Sequence, residues 1–133
     1  MDLAGEILNG HGYLGYAVFA LILVSVVRAA MAARSGAEYS DGLAKLAGLV
    51  LSLQWVYGIL VYVQSQFWNA GFSTAVIHPL AMTGAVALAG IATARARKAA
   101  DASDASDAWM AIAKFQGIAL LLIIIGIGAV SAG

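Results

Sequence analysis

Charged residues cut the chain into apolar stretches, and those stretches have the length of membrane crossings. The first runs from His11 to Val27, stops at Arg28 and continues through an Ala-rich segment toward Arg34, which predicts a helix over about 11–33. Between Lys45 and Arg95 there is no charged residue at all. That interval is too long for one crossing of about 20 residues, and it contains one turn-like segment, Trp68-Asn69-Ala70-Gly71-Phe72-Ser73-Thr74. It therefore divides into helices at about 46–67 and 75–94, with a fourth at about 114–132 carrying the lipid-like run Leu120 to Ile125. The expected fold is all-α, an integral membrane four-helix bundle running up-down-up-down as a single domain over residues 1–133.

Composition agrees with this and narrows the function classes. Of 133 residues, 62% are hydrophobic and 11% charged, against roughly 25% charged in a soluble domain, so soluble enzyme folds are excluded. Seven basic and seven acidic residues balance, which leaves no excess for nucleic acid. There is no cysteine, hence no disulfide framework, no Cys-ligated zinc or iron–sulfur cluster and no covalently attached c-type haem.

Every basic residue flanks the first connection (Arg28, Arg34, Lys45) or the third (Arg95, Arg97, Lys98, Lys114). The positive-inside rule then puts those two connections in the cytoplasm and both termini outside, as in a multi-pass protein of the bacterial inner (cytoplasmic) membrane. Asp2 and Glu6 give the start of the chain an acidic character, which argues against a cleaved signal peptide and for a retained first helix. The repeat Asp101-Ala102-Ser103-Asp104-Ala105-Ser106-Asp107 reads as a solvated loop whose last Asp or Ser caps helix 4. No carboxylate lies between Asp41 and Asp101, and no longer repeat is visible, so ion-coupled and inverted-repeat transport are disfavoured.

Polar groups inside the spans are few, and each is costly in lipid. His11 lies 17 residues before Arg28 and His78 lies 17 residues before Arg95, so at about 1.5 Å per residue both stand about 26 Å from one boundary. Helices 1 and 3 are diagonal if the four pack in chain order, and two imidazoles at one level then converge across the interior, where a planar cofactor or metal ion has two ligands. Gly12 and Gly15 accompany His11, while Met82, Ala85 and Ala89 follow His78 on one helix face. Such small residues also serve plain helix packing, and each histidine alone also serves as an interfacial hydrogen-bonding group. Helix 2 offers Gln54, Gly58, Tyr62 and Ser65 along one face, with Tyr62 at the histidine level. Gln54 suits an interhelical hydrogen bond as well as a cofactor contact. Trp55, Trp68, Tyr57, Tyr13 and Tyr16 suit an aromatic belt. Copper held by His11, His78 and the Met82 thioether is a further metal option, whereas zinc lacks ligands.

These features resemble the small bacterial four-helix membrane proteins described as cytochrome b-like and, more distantly, the cytochrome b561 class. The carriers are His11, the stretch Gln54-Trp55-Val56-Tyr57-Gly58-Ile59-Leu60-Val61-Tyr62, and His78-Pro79-Leu80-Ala81-Met82 followed by Ala85. The resemblance implies a b-type haem held by His11 and His78 and an electron-transfer role between a quinol or other membrane redox partner and an acceptor, with quinone as an additional small-molecule partner. Two departures stand out: Gly15-Tyr16 replaces an Arg-Trp pair after the first histidine, and Gly90 replaces a deeper histidine on helix 3. They leave one haem at most, with no cation on the histidine side to pair its propionates, and hydroxyls such as those of Tyr13, Tyr16 and Tyr62 as substitutes. An electron carrier or subunit is expected rather than a stand-alone enzyme. The competing expectation is a cofactor-free accessory or structural subunit of a larger respiratory or photosynthetic complex, with lipid, other membrane subunits or further copies of the chain as partners.

Overall fold

The computed structural model describes residues 2–131 and consists of four long helices with two short helical turns between the second and third. Helix α1 spans Leu3–Ser35, α2 Gly42–Gln64, α3 His78–Asp101 and α4 Ala105–Ser131. Each is long and apolar enough to cross a membrane, α3 together with the short turn before it, and the described residues contain no strand. The bundle is the one the apolar pattern predicts, but most helix ends lie beyond its apolar stretches, while α2 stops at Gln64 rather than 67 and α3 begins at His78 rather than 75 because irregular turns occupy the connection. Helix α1 begins at Leu3 rather than near His11, α2 at Gly42 rather than 46, and α4 at Ala105 rather than 114, while α3 runs on to Asp101. Charged residues mark where a helix leaves lipid; helical hydrogen bonds are local and continue past that boundary until a cap or turn stops them. Ala132, the last residue predicted for helix 4, lies outside the described residues.

The caps are readable residue by residue. Asp2 accepts a hydrogen bond from the Gly5 N–H at 3.2 Å and starts α1, and Glu6 adds a negative charge to the first turn. At the other end Gly36 takes the left-handed conformation, φ 69°, which a glycine adopts without steric cost. The 101–107 repeat is mostly helical rather than looped: only residues 102–104 lie between α3 and α4, and Asp104 caps α4 by accepting from the Asp107 N–H at 2.9 Å.

Helix α1 packs against α2 and α4, and α3 against α4 and α2, closing a ring in chain order with α1 opposite α3. Two apolar clusters fill it. Val18, Ile22, Ala47, Leu51, Ala85, Ala89, Ala119 and Ile123 form the middle. Ala29, Ala32, Ala44, Ala92, Ala96, Ala108, Trp109 and Ile112 form the end nearest the basic residues. Helix α3 buries an alanine every three or four residues, Ala81, Ala85, Ala89, Ala92 and Ala96, and this small-residue stripe lets backbones approach closely where lipid supplies no hydrophobic drive between helices. Between the clusters, Ser25 donates to Gln116 Oε1 at 2.6 Å and Gln116 Nε2 donates to the Ala44 carbonyl at 3.1 Å, tying α1, α4 and α2 together.

Candidate functional site: a histidine pair at the end remote from the basic residues

Helix α3 is aimed by irregular backbone. Gln66 adopts φ 51°, a 3-10 turn occupies Phe67–Asn69, and a π-helical turn occupies Ser73–Ile77, ending in an i to i+5 bond from the His78 N–H to the Ser73 carbonyl. Pro79 has no N–H, so the Ala75 carbonyl one turn earlier loses its helical donor. The Tyr62 hydroxyl supplies the replacement, donating to that carbonyl at 2.9 Å. Tyr62, expected near the cofactor, is thus spent on the entry of α3 and reaches the histidines only through the helix it steadies. A second tie is Trp55 Nε1, which donates to Thr83 Oγ1 at 3.0 Å, while Thr83 donates to the Pro79 carbonyl.

Across the diagonal the imidazoles of His11 and His78 meet, with ring centroids 6.4 Å apart and planes at 84°. Both rings are partly buried. Each Nδ1 has its own partner, and the two partners differ in kind. His78 Nδ1 lies 2.8 Å from the Gly126 carbonyl; a carbonyl only accepts, so Nδ1 carries a proton, and in the neutral tautomer Nε2 is the nitrogen with the lone pair. His11 Nδ1 lies 3.0 Å from Gln54 Nε2, and the same amide nitrogen donates to the His11 carbonyl at 2.7 Å. Exchanging the amide's O and N would set oxygen against that carbonyl, so the nitrogen stays where it is and His11 Nδ1 accepts. The neutral His11 ring therefore holds its proton on Nε2. Gln54 Oε1 is buried with no hydrogen-bond partner.

Glycines make these contacts possible. A Cβ on Gly58 would sit 3.0 Å from His11 Cε1, one on Gly126 would meet the Met82 methyl at 2.6 Å and His78 Nδ1 at 3.5 Å, and one on Gly10 would lie 2.7 Å from the Tyr57 hydroxyl. A Cβ on Gly15 would touch Gln54 Nε2 at 3.4 Å, an ordinary contact. Met82 thus packs beside His78 against Gly126. Tyr57, assigned from sequence to an aromatic belt, instead sets its ring edgewise to His11 at 5.5 Å and donates to the Ile7 carbonyl at 2.7 Å. The structure brings together His11, His78, Gln54, Gly15 and Met82, leaves Tyr62 one step away, and adds Tyr57 and Gly126. Tyr57 was within reach of sequence reasoning, since it follows Gln54 by three residues and shares its helix face. Gly126 was concealed in the Ile-rich run that reads as lipid-facing.

The described residues contain no group of three or more His, Cys, Asp or Glu able to hold a metal ion by themselves, so any metal here rests on the two imidazoles and a non-ionised partner. Compared with known proteins, the chain matches no family model, no curated protein and no solved structure.

Proposed function

We propose that the chain is a membrane haem b protein that carries electrons between a quinol or another membrane redox partner and an acceptor, with His11 and His78 as the residues that would hold the haem. The observation that carries this reading is the convergence of the two imidazoles from opposite helices, with ring centroids 6.4 Å apart, a spacing at which both rings could hold one metal ion. Haem iron bound there supplies a one-electron couple.

The chain's own residues divide the work of holding it. His78 is preset, its Nδ1–H fixed by the Gly126 carbonyl and its Nε2 lone pair available. His11 would hold the group through Nε2 only with its proton moved to Nδ1, which would require the Gln54 amide to reverse and set Oε1 there, against the carbonyl that its nitrogen now bonds. Gln54 therefore sets the proton position of His11. The Tyr62 hydroxyl, already bound to Ala75, is not available to a propionate. In this reading the basic connections face the cytoplasm, the histidine end faces outward, and the chain resides in the bacterial inner membrane beside other subunits of an electron-transfer complex or a second copy.

The test is the absorption spectrum of the purified chain, oxidised and dithionite-reduced, for wild type, His11→Ala and His78→Ala. Sharp low-spin α and Soret bands in the reduced wild type, lost in both variants, are expected. A colourless, iron-free wild type overturns the reading and favours a cofactor-free subunit.

A further inference from the structure

The opposite end of the bundle carries an unbalanced charge cluster on the α3–α4 seam. The Arg95 guanidinium carbon lies 5.8 Å from the centre of the Phe115 ring, and Lys114 Nζ lies 5.5 Å from the same centre. Lys98, one turn beyond Arg95, lines a shallow groove along the α3 side of this seam with Arg95, Ala94 and Ile91. No carboxylate lies within ion-pair distance of the trio, although Asp101 is one turn from Lys98 on α3: the one ion pair among the described residues joins Lys45 to Asp41. The other basic connection is occupied differently, with Arg28 stacked 5.2 Å over Trp109 and donating to Ser40 Oγ at 3.1 Å.

Toward the membrane centre the same seam turns aliphatic on both helices. One turn from Arg95 on α3 is Ile91, and one turn from Lys114 on α4 is Ile118, 41% and 40% exposed. Cations at the boundary and exposed branched side chains directly beneath them, on two adjacent helices, match an amphiphile with an anionic head and a hydrocarbon tail. An acidic protein segment would satisfy the cations but not the aliphatic strip inside the span. We propose that this seam binds one anionic glycerophospholipid, its phosphodiester held by Arg95 and Lys114 with Lys98 alongside and an acyl chain lying over Ile91 and Ile118. Guanidinium suits phosphate through its planar donor fork, and basic pockets between membrane helices select anionic headgroups.

Native mass spectrometry of the detergent-solubilised full chain tests this, with phosphatidylglycerol and phosphatidylcholine of identical acyl chains as probes. Wild type is expected to retain phosphatidylglycerol in preference to phosphatidylcholine. Removing each charge is expected to weaken binding about fivefold, so that Arg95→Gln with Lys114→Gln loses about 25-fold. The charge-preserving exchange Arg95→Lys with Lys114→Arg keeps the preference, which separates loss of charge from loss of fold. Arg28→Gln with Lys45→Gln leaves it unchanged. Equal retention of the two lipids, an equal loss in the Arg28/Lys45 variant, or displacement by chain-free glycerophosphoglycerol as efficient as by the lipid would each overturn the proposal.

Discussion

Two glutamines turn inward in this bundle, one toward each end, and they are treated in opposite ways. Gln116 is fully buried, and both ends of its amide are bonded, to Ser25 and to the Ala44 carbonyl. Gln54 is only partly buried, spends its nitrogen on the backbone and ring of His11, and leaves its oxygen buried and unpartnered. The first belongs to a region closed by alanine contacts and Trp109; the second belongs to a region of rings, hydroxyls and glycines. A polar network with every group paired fixes one structure, whereas a partly paired one keeps hydrogen-bonding capacity for something else. The basic end is not fully paired either, since the Tyr39 hydroxyl there is buried without a hydrogen-bond partner, so the contrast is between the two amides: Gln116 ties helices together, and Gln54 keeps an acceptor beside the two histidines.

The sharpest way to break this contrast is to open the basic end. Trp109 is 3% exposed, donates through Nε1 to the Ala37 carbonyl at 3.0 Å and packs edgewise on Tyr39 at 5.0 Å. Trp109→Ala is expected to cost about 3–5 kcal/mol in a detergent unfolding titration. A loss below about 1 kcal/mol would deny that this end carries the stability. Gln116→Leu comes next, at about 1–2 kcal/mol, because it removes two interhelical bonds within the membrane. The same substitution at position 54 is expected to cost less than about 1 kcal/mol, since it removes a buried unpaired oxygen together with its two bonds. Comparing the two Gln→Leu variants in one titration reads the asymmetry directly.

Tyr62→Phe probes how the histidine end is positioned. It strips the donor from the Ala75 carbonyl, left open by Pro79, and is expected to cost about 1 kcal/mol. The entry of α3 then loosens, and amide hydrogen exchange is expected to speed up at His78 and in the turn Ser73–Ile77 with no matching change at Ala92 or Ala96. Uniform acceleration along α3 would place the effect in global stability instead.

How much of this was legible beforehand follows from the range of each signal. The four spans and the common level of His11 and His78 could be read because hydropathy and rise per residue are one-dimensional quantities. Which residues face the rings could not, because rotation about a helix axis depends on neighbours: Tyr57 lies on the Gln54 face, and only the packing of α2 on α1 turns it to Ile7 and His11. The role of Tyr62 was hidden for a different reason. Its partner is a backbone carbonyl orphaned by a proline 17 residues away in sequence. Gln116 drew no notice because it lies two residues past Lys114, where helix 4 was expected to begin, whereas α4 begins nine residues before that lysine.

The smallest effect expected is that of acid. If packing rather than charge holds the basic end, then breaking its ion pair must matter little. That pair joins Lys45 Nζ to Asp41 Oδ2 at 2.6 Å, one turn apart at the start of α2 and open to solvent. The Lys45 hydrogen bond holds the Asp41 carboxyl below its ordinary value of 3.8. A group depressed in the folded state favours folding above its unfolded pKa, and the contribution disappears as pH falls through the folded value. Stability is thus expected to be flat from neutrality down to about pH 4 and to fall slightly below it, with Asp41→Asn abolishing the small acid-dependent part. Exposed i, i+4 pairs are weak and screened by salt, so the decline should shrink further at high ionic strength. A steep, salt-sensitive loss removed by Asp41→Asn would mean that charge, and not the alanine and tryptophan packing, closes this end of the bundle.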